Sequence, residues 1–252
     1  MGKKLYGALS LAFLLIFLIS IAGLADNLLV PEDYTSIQAA VDAAEKGDSI
    51  LLSSGSYEED IVISEVKNLT IRSRDLREFT VVKGEIKIAD STNVALDGFT
   101  VTGPGYGVLV RGEVVGLTLN NLAVARNALD GLNFSGGETK YFHVNITNCK
   151  IGPNGGDGIT LKGTGNDITI RGNEIVANGT YSPPMAGGAA GRKGKKPKGA
   201  KAVGVRVGIS KKEAAGGAGG GAAAGVLRIL IEENIINENA FAAIHSVLER
   251  FQ

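Results

Sequence analysis

Ile146-Thr147-Asn148-Cys149-Lys150-Ile151-Gly152-Pro153-Asn154 returns 24 residues later as Ile170-Arg171-Gly172-Asn173-Glu174-Ile175-Val176-Ala177-Asn178, and this correspondence decides the fold. Taking the first apolar residue of each stretch as zero, the pattern extends outward to Leu96, Leu119 and Ile231. Position +5 is then Val101, Val124, Ile151, Ile175 and Ile236, and position +8 is Pro104, Asn127, Asn154, Asn178 and Asn239. The anchors lie 23, 27, 24 and 61 residues apart, the last gap being one repeat plus an insertion of about 37. A period in the twenties, rich in β-branched residues, Gly and Asn, marks a solenoid whose coils bury a core only by stacking.

Position +2 carries Gly98, Asn121, Asn148, Gly172 and Glu233. Gly and Asn tolerate a left-handed backbone, so four of the five suit a tight corner between two strands. A third strand follows at about +12, led by Gly107-Val108-Leu109-Val110, Gly131-Leu132-Asn133-Phe134, Gly158-Ile159-Thr160-Leu161 and Gly204-Val205-Arg206-Val207. Strand alternation puts Val108, Leu132, Ile159, Val205 and their i+2 partners inward. Leu109, Asn133, Thr160 and Arg206 then point outward, with Arg111, Ser135 and Lys162 one step further along.

The N-terminal part reads differently. Lys3 and Lys4 precede an apolar run from Leu5 to Leu24 and a small-residue site, Gly23-Leu24-Ala25, which together read as a secretory signal over 1–25. The run is also long enough to span a bilayer, so an uncleaved segment would be a membrane tether. Either way the remaining chain is expected outside the cytoplasm: extracellular, periplasmic or at the cell surface. Next, Ile37, Ala40, Val41 and Ala44 have helical spacing behind Thr35 or Ser36 as N-cap, and Lys46-Gly47-Asp48 stops the helix. Such a helix would cover the raw first edge of the solenoid.

The chain has one cysteine, Cys149, so no intrachain disulfide forms, and with two histidines a zinc or copper site is disfavoured. Lys and Arg balance Asp and Glu at 26 each, yet residues 192–213 hold nine basic residues against Glu213 alone. A basic segment on an acidic body suits an anionic partner, or is simply a solvated loop. The stretches at about 180–203 and 209–225 are Gly/Ala/Lys-rich, a composition that cannot bury a core. At the end, Ala243-Ile244-His245-Ser246 fits a strand in register. Phe241, Ile244, Leu248 and Phe251 fit a helical lid equally well. A strand would leave the edge bare; a capped end predicts a monomer.

The stretch from Tyr34 through Ile37-Gln38-Ala39-Ala40, Gly47-Asp48-Ser49-Ile50, Gly55-Ser56-Tyr57-Glu58 and Asn68-Leu69-Thr70-Ile71 resembles the opening of right-handed parallel β-helix proteins of the pectin-lyase-like superfamily. The repeats continue that resemblance over nearly all of 26–252 except the insertion. It implies an all-β, single-stranded right-handed parallel β-helix of about seven coils with an N-terminal capping helix. In β-helices of this kind an inward Asn stacks coil upon coil, and position +3 (Phe99, Leu122, Cys149, Asn173, Asn234) supplies candidates. Asn173 and Asn234 read as a structural ladder with Cys149 as its apolar substitute. The +8 asparagines read as turn residues.

The superfamily includes polysaccharide lyases, hydrolases, epimerases and non-catalytic surface proteins, and in its lyases the substrate groove follows the glycine-led sheet. On that face Arg111, Asn133, Thr160, Lys162 and Arg206 are candidate substrate-binding residues, suited to an anionic polysaccharide because Arg forks a carboxylate and Lys adds a point charge. A lyase would need Lys162 or Arg206 as base, which requires a depressed pKa. Asp130 and Asp157 precede glycines of adjacent coils, as turn residues or as a pair sharing calcium, an oxygen-seeking ion. Lys162 and Arg206 equally fit ordinary outward, solubilising residues. The paired-Asp hydrolase, Trp-containing lyase and Asp-Pro-His-Glu epimerase signatures are missing, Trp is absent, and Tyr106 and Tyr181 are the exposed aromatic candidates. Nucleic-acid binding is not expected of an exported chain. The sequence therefore points to a polyanion-binding module, with a calcium-assisted lyase and a purely structural surface protein as alternatives.

Overall fold

The computed structural model describes residues 25–136, 138–182, 203–209, 228–237, 239 and 242–246. The leader read in 1–25 (but for Ala25) and nearly all of the stretches 180–203 and 209–225 lie outside them.

The chain winds as a parallel β-solenoid, every strand pairing in register with its counterpart one coil away. Three strand stacks bound the core. Long strands such as Lys67–Ser73, Thr92–Asp97 and Lys140–Thr147 form one stack. Short strands such as Thr100–Thr102, Ala123–Val124 and Lys150–Ile151 form the second. The glycine-led strands Ile61–Ser64, Ile86–Ala89, Val108–Arg111, Leu132–Phe134, the first part of Ile159–Arg171, Val203–Ile209 and Ala242–Ser246 form the third. Ile159–Arg171 runs unbroken from the third stack into the first and joins them. Among the described residues the short-strand stack has seven members, which bound about six complete turns, one fewer than the seven coils expected. Ala242–Ser246 pairs with Val203–Ile209, so this segment is a strand rather than part of a lid helix.

Helix α1 (Ile37–Ala43) covers the first coil. The Ser36 hydroxyl caps it by accepting from the Ala39 N–H at 3.1 Å, and Ile37, Ala40 and Val41 are buried beneath it. Both Glu59 carboxylate oxygens, one coil below, accept from the free N–H groups of Ile37 and Gln38 at 2.9 Å. Local sequence starts the helix; a distant acid ties it down.

The +2 corner residues all take positive φ: Gly98 74°, Asn121 50°, Asn148 54°, Gly172 65° and also Glu233 54°. Glutamate meets a steric cost there. Its side chain is held by Arg171, whose Nε and Nη2 donate to its two oxygens at 2.8 and 2.9 Å.

Two amide ladders cross the core. At +3 the Asn173 Nδ2 donates to Asn234 Oδ1 at 2.9 Å, and the Cys149 N–H donates to Asn173 Oδ1 at 2.8 Å. Burial pushes the Cys149 thiol up to about 12. The longer ladder is at +8, where the sequence suggested turn chemistry. Asn127, Asn154 and Asn178 are buried, and each Nδ2 donates to the next Oδ1 (Asn154, Asn178, then Asn239) at 2.9–3.0 Å. The correction has a geometric cause: the turn residue points in, so its amide can satisfy backbone left bare where the strand ends. The ladder starts with an orphan, because buried Asn127 Oδ1 has no donor. In the coil before it the corresponding turn is one residue shorter, and Pro104 is exposed and lacks an N–H.

Tyr141 leaves a second orphan. Its ring packs 5.2 Å from that of Phe134, and its buried hydroxyl has no partner. Tyr141→Phe should therefore raise the unfolding free energy by about 1–3 kcal/mol, the usual cost of an unsatisfied buried polar group. Urea denaturation checks this, and a loss of stability would mean the hydroxyl has a partner such as buried water.

Candidate functional site

The site grows from a repeated tetrapeptide, Asp130-Gly131-Leu132-Asn133 and Asp157-Gly158-Ile159-Thr160. Leu132 and Ile159 are in register and fully buried, so Asn133 and Thr160 stand side by side on the outer face, followed by Arg206. The acids sit just ahead of each strand. Asp130 Oδ1 accepts from the Asp157 N–H at 2.8 Å, and the Gly131 N–H donates to the Asp157 carbonyl at 2.9 Å. Earlier coils repeat the device: Asp60 Oδ1 accepts from the Glu85 N–H at 2.7 Å, and Glu85 Oε2 from the Tyr106 N–H at 3.1 Å. An acid before the strand thus tethers the backbone of the following coil.

The side chains then close on one another. Asp130 Oδ2 accepts from Asn133 Nδ2 at 2.7 Å and lies 2.9 Å from Thr160 Oγ1, which is 3.1 Å from Asp157 Oδ2. Arg206 forks Asp157, Nε to Oδ2 and Nη2 to Oδ1. Asn133 Oδ1 accepts from Ser135 Oγ at 2.6 Å and from Arg111 Nη1 at 3.2 Å. Asn133 and Thr160 are consequently buried, 3% and 2% exposed, although they face outward from the sheet.

The structure brings Arg111, Asp130, Asn133, Asp157, Thr160 and Arg206 into one network and leaves Lys162 exposed beside it. The basic stripe is two rows. Arg111 and Lys162 follow Val110 and Leu161, which share one register row, and Arg206 belongs to the row of Asn133 and Thr160. On the same face toward the N-terminus, Asp60, Val62, Glu85, Lys87, Pro104 and Gly105 line a cleft of about 350 Å³. Tyr106, half-buried, stands between cleft and network, its phenol pushed above its usual value mainly by burial.

These contacts bear on the chemistry suggested by the sequence. The hydrogen bond that Arg206 donates to Asp157 raises the Arg206 pKa, with burial opposing, so the depression a general base requires is not met at Arg206. Burial raises the Asp130 pKa against the hydrogen bonds of Asn133, the Asp157 N–H and Thr160. Asp130 and Asp157 do not fit a calcium ion. Their oxygens are turned to N–H, hydroxyl and guanidinium donors, and among the described residues no three acidic, His or Cys side chains gather as a metal site. Sequence reasoning missed the bridge from Thr160 to both acids, although the matched Asp-Gly-apolar-polar spacing was the signal for it.

The family described as right handed beta helix region matches residues 53–249. The chain belongs to that family. No curated protein sequence matches it. Among solved structures it is similar to a pectin methylesterase in complex with a hexasaccharide (12% identity, TM-score 0.43, 75% of this chain and 67% of that one). It is also similar to a pectate lyase (15%, 0.45, 75% and 63%) and to a mannuronan C-5 epimerase A-module of Azotobacter vinelandii (17%, 0.43, 74% and 58%). This β-helix chain spans about two thirds or less of their lengths, and the likeness is one of fold.

Proposed function

We propose that this protein is an exported module that binds an acidic polysaccharide along the outer face of its glycine-led sheet without cleaving it. One observation carries the reading: Arg111 and Lys162 project from one register row two coils apart, about 10 Å at one strand spacing per coil. They stand over a polar floor whose acids are already engaged with internal donors. Repeating carboxylates on an extended chain suit cations repeated along a flat sheet. The raised Arg206 pKa favours binding over elimination chemistry. Export fits the leader, since such polymers lie outside the cytoplasm.

Calorimetry with polygalacturonate and alginate, with and without calcium, tests this. Binding is expected to weaken with salt, and by roughly tenfold in each of Arg111→Ala and Lys162→Ala, about the worth of one charge-assisted contact. Unsaturated uronate absorbance would establish a lyase instead. Absence of binding across a wide glycan panel would leave a structural surface protein.

A further inference from the structure

Thr160 Oγ1 lies within hydrogen-bonding distance of Oδ2 of both Asp130 and Asp157, at 2.9 and 3.1 Å. A hydroxyl carries one proton and can donate to only one of them. With both acids ionised, the other contact would set an oxygen lone pair against an anionic oxygen in a largely buried place. A proton on Asp130 Oδ2 resolves the conflict: Asp130 donates to Thr160, and Thr160 donates to Asp157. Arg206, forked on both Asp157 oxygens, fixes Asp157 as the anion and leaves the proton to Asp130.

We propose that Asp130 and Asp157 share one proton through the Thr160 hydroxyl, and that losing it weakens anionic-glycan binding on this face. The first half stands on the geometry above; the second rests on the proposed function. Among the described residues, the charged and titratable groups around Asp130 include Asp157 and Arg206 from the following coils, and Tyr106, with Arg111 and Glu85 beside it, from the preceding ones. Burial and the Asp157 charge both favour the protonated form, in line with the hydrogen-bond count. Ionisation adds a negative charge to the network that holds Arg111 through Asn133, next to the row a polyanion would occupy. Affinity should therefore fall as pH rises through the transition, by up to about tenfold per pH unit for one linked proton.

Carbon-13 titration of the aspartate carboxyls reads the proton on the unaltered protein. One aspartate is expected to keep its proton to a higher pH than the exposed ones. The Asp130 and Asp157 signals should move together at that step, because they are coupled. In Thr160→Val, checked for fold by circular dichroism, the shared movement should shrink to what the neighbouring Asp157 charge alone carries. If every aspartate titrates in the ordinary range, or the coupling is undiminished in Thr160→Val, the shared proton is overturned. Polygalacturonate calorimetry across the same pH range completes the test. Binding that ignores the transition overturns the linkage while the proposed function stands. No binding at any pH overturns the linkage together with the proposed function, and the titration alone then decides whether the proton is shared.

Discussion

Asn154→Ala should lower the unfolding free energy by about 4 kcal/mol, although the change removes only a small polar side chain. Asn154 Oδ1 accepts from both the N–H and the Nδ2 of Asn127, and its Nδ2 donates to the Val124 carbonyl and Asn178 Oδ1. Alanine takes the partner from the buried Asn127 N–H and from Asn178 Oδ1, and weakens the hold on Asn127 Nδ2. Each buried group left unpaired costs about 1–3 kcal/mol. The cost is local, since each coil contacts only its neighbours, so hydrogen exchange should show lost protection concentrated around residues 124–178. Asn145→Ala is the control: Asn145 is exposed on a strand, and its loss should stay within about 0.5 kcal/mol. A measured loss under about 1 kcal/mol for Asn154→Ala in urea would mean that the ladder is ornamental.

Gly158→Ala should cost about 3 kcal/mol by overpacking. A methyl group at Gly158 would lie 2.5 Å from the Gly204 carbonyl oxygen, 2.6 Å from Ile175 Cγ2 and 2.8 Å from Asn178 Nδ2. The first is backbone of the next coil and the last belongs to the ladder, so neither gives way cheaply. Gly55→Ala, where the added carbon meets nothing closer than 4.0 Å, is the matched control and should cost no more than about 1 kcal/mol, the strand entropy term being favourable. Thermal unfolding of the two variants separates them, and equal midpoints would refute the packing argument. Because Gly158 sits beside Asp157, the first variant should also disturb the Asp157–Arg206 pair.

The repeat was legible because stacking makes every coil solve the same problem at the same position. Period, corner residues and inward rows all follow from Leu119, Ile146 and Ile170 recurring with Val124, Ile151 and Ile175. The helix over 37–43 was legible from Ser36 and the 37/40/41 spacing. The direction of the +8 side chains was not, since Asn serves an outward turn and an inward ladder equally well. At the candidate site, alternation put Asn133, Thr160 and Arg206 on one face correctly. It could not show that Arg206 would be spent on Asp157, 49 residues earlier, or that Thr160 would bridge two acids.

By itself the sequence determined that this chain is a β-solenoid, where its lid helix lies and which strand positions face in or out, because hydrophobic period and corner chemistry are local and repeat with every coil. The tertiary structure alone decided which polar groups meet across coils. Contacts between residues 24 to 61 apart along the chain depend on strand register and turn length, and a one-residue difference, such as the short turn at Pro104, decides whether an amide is paired or orphaned. For the same reason the acids at 130 and 157, which the sequence offered as turn residues or as a calcium pair, are a hydrogen-bonded junction between coils.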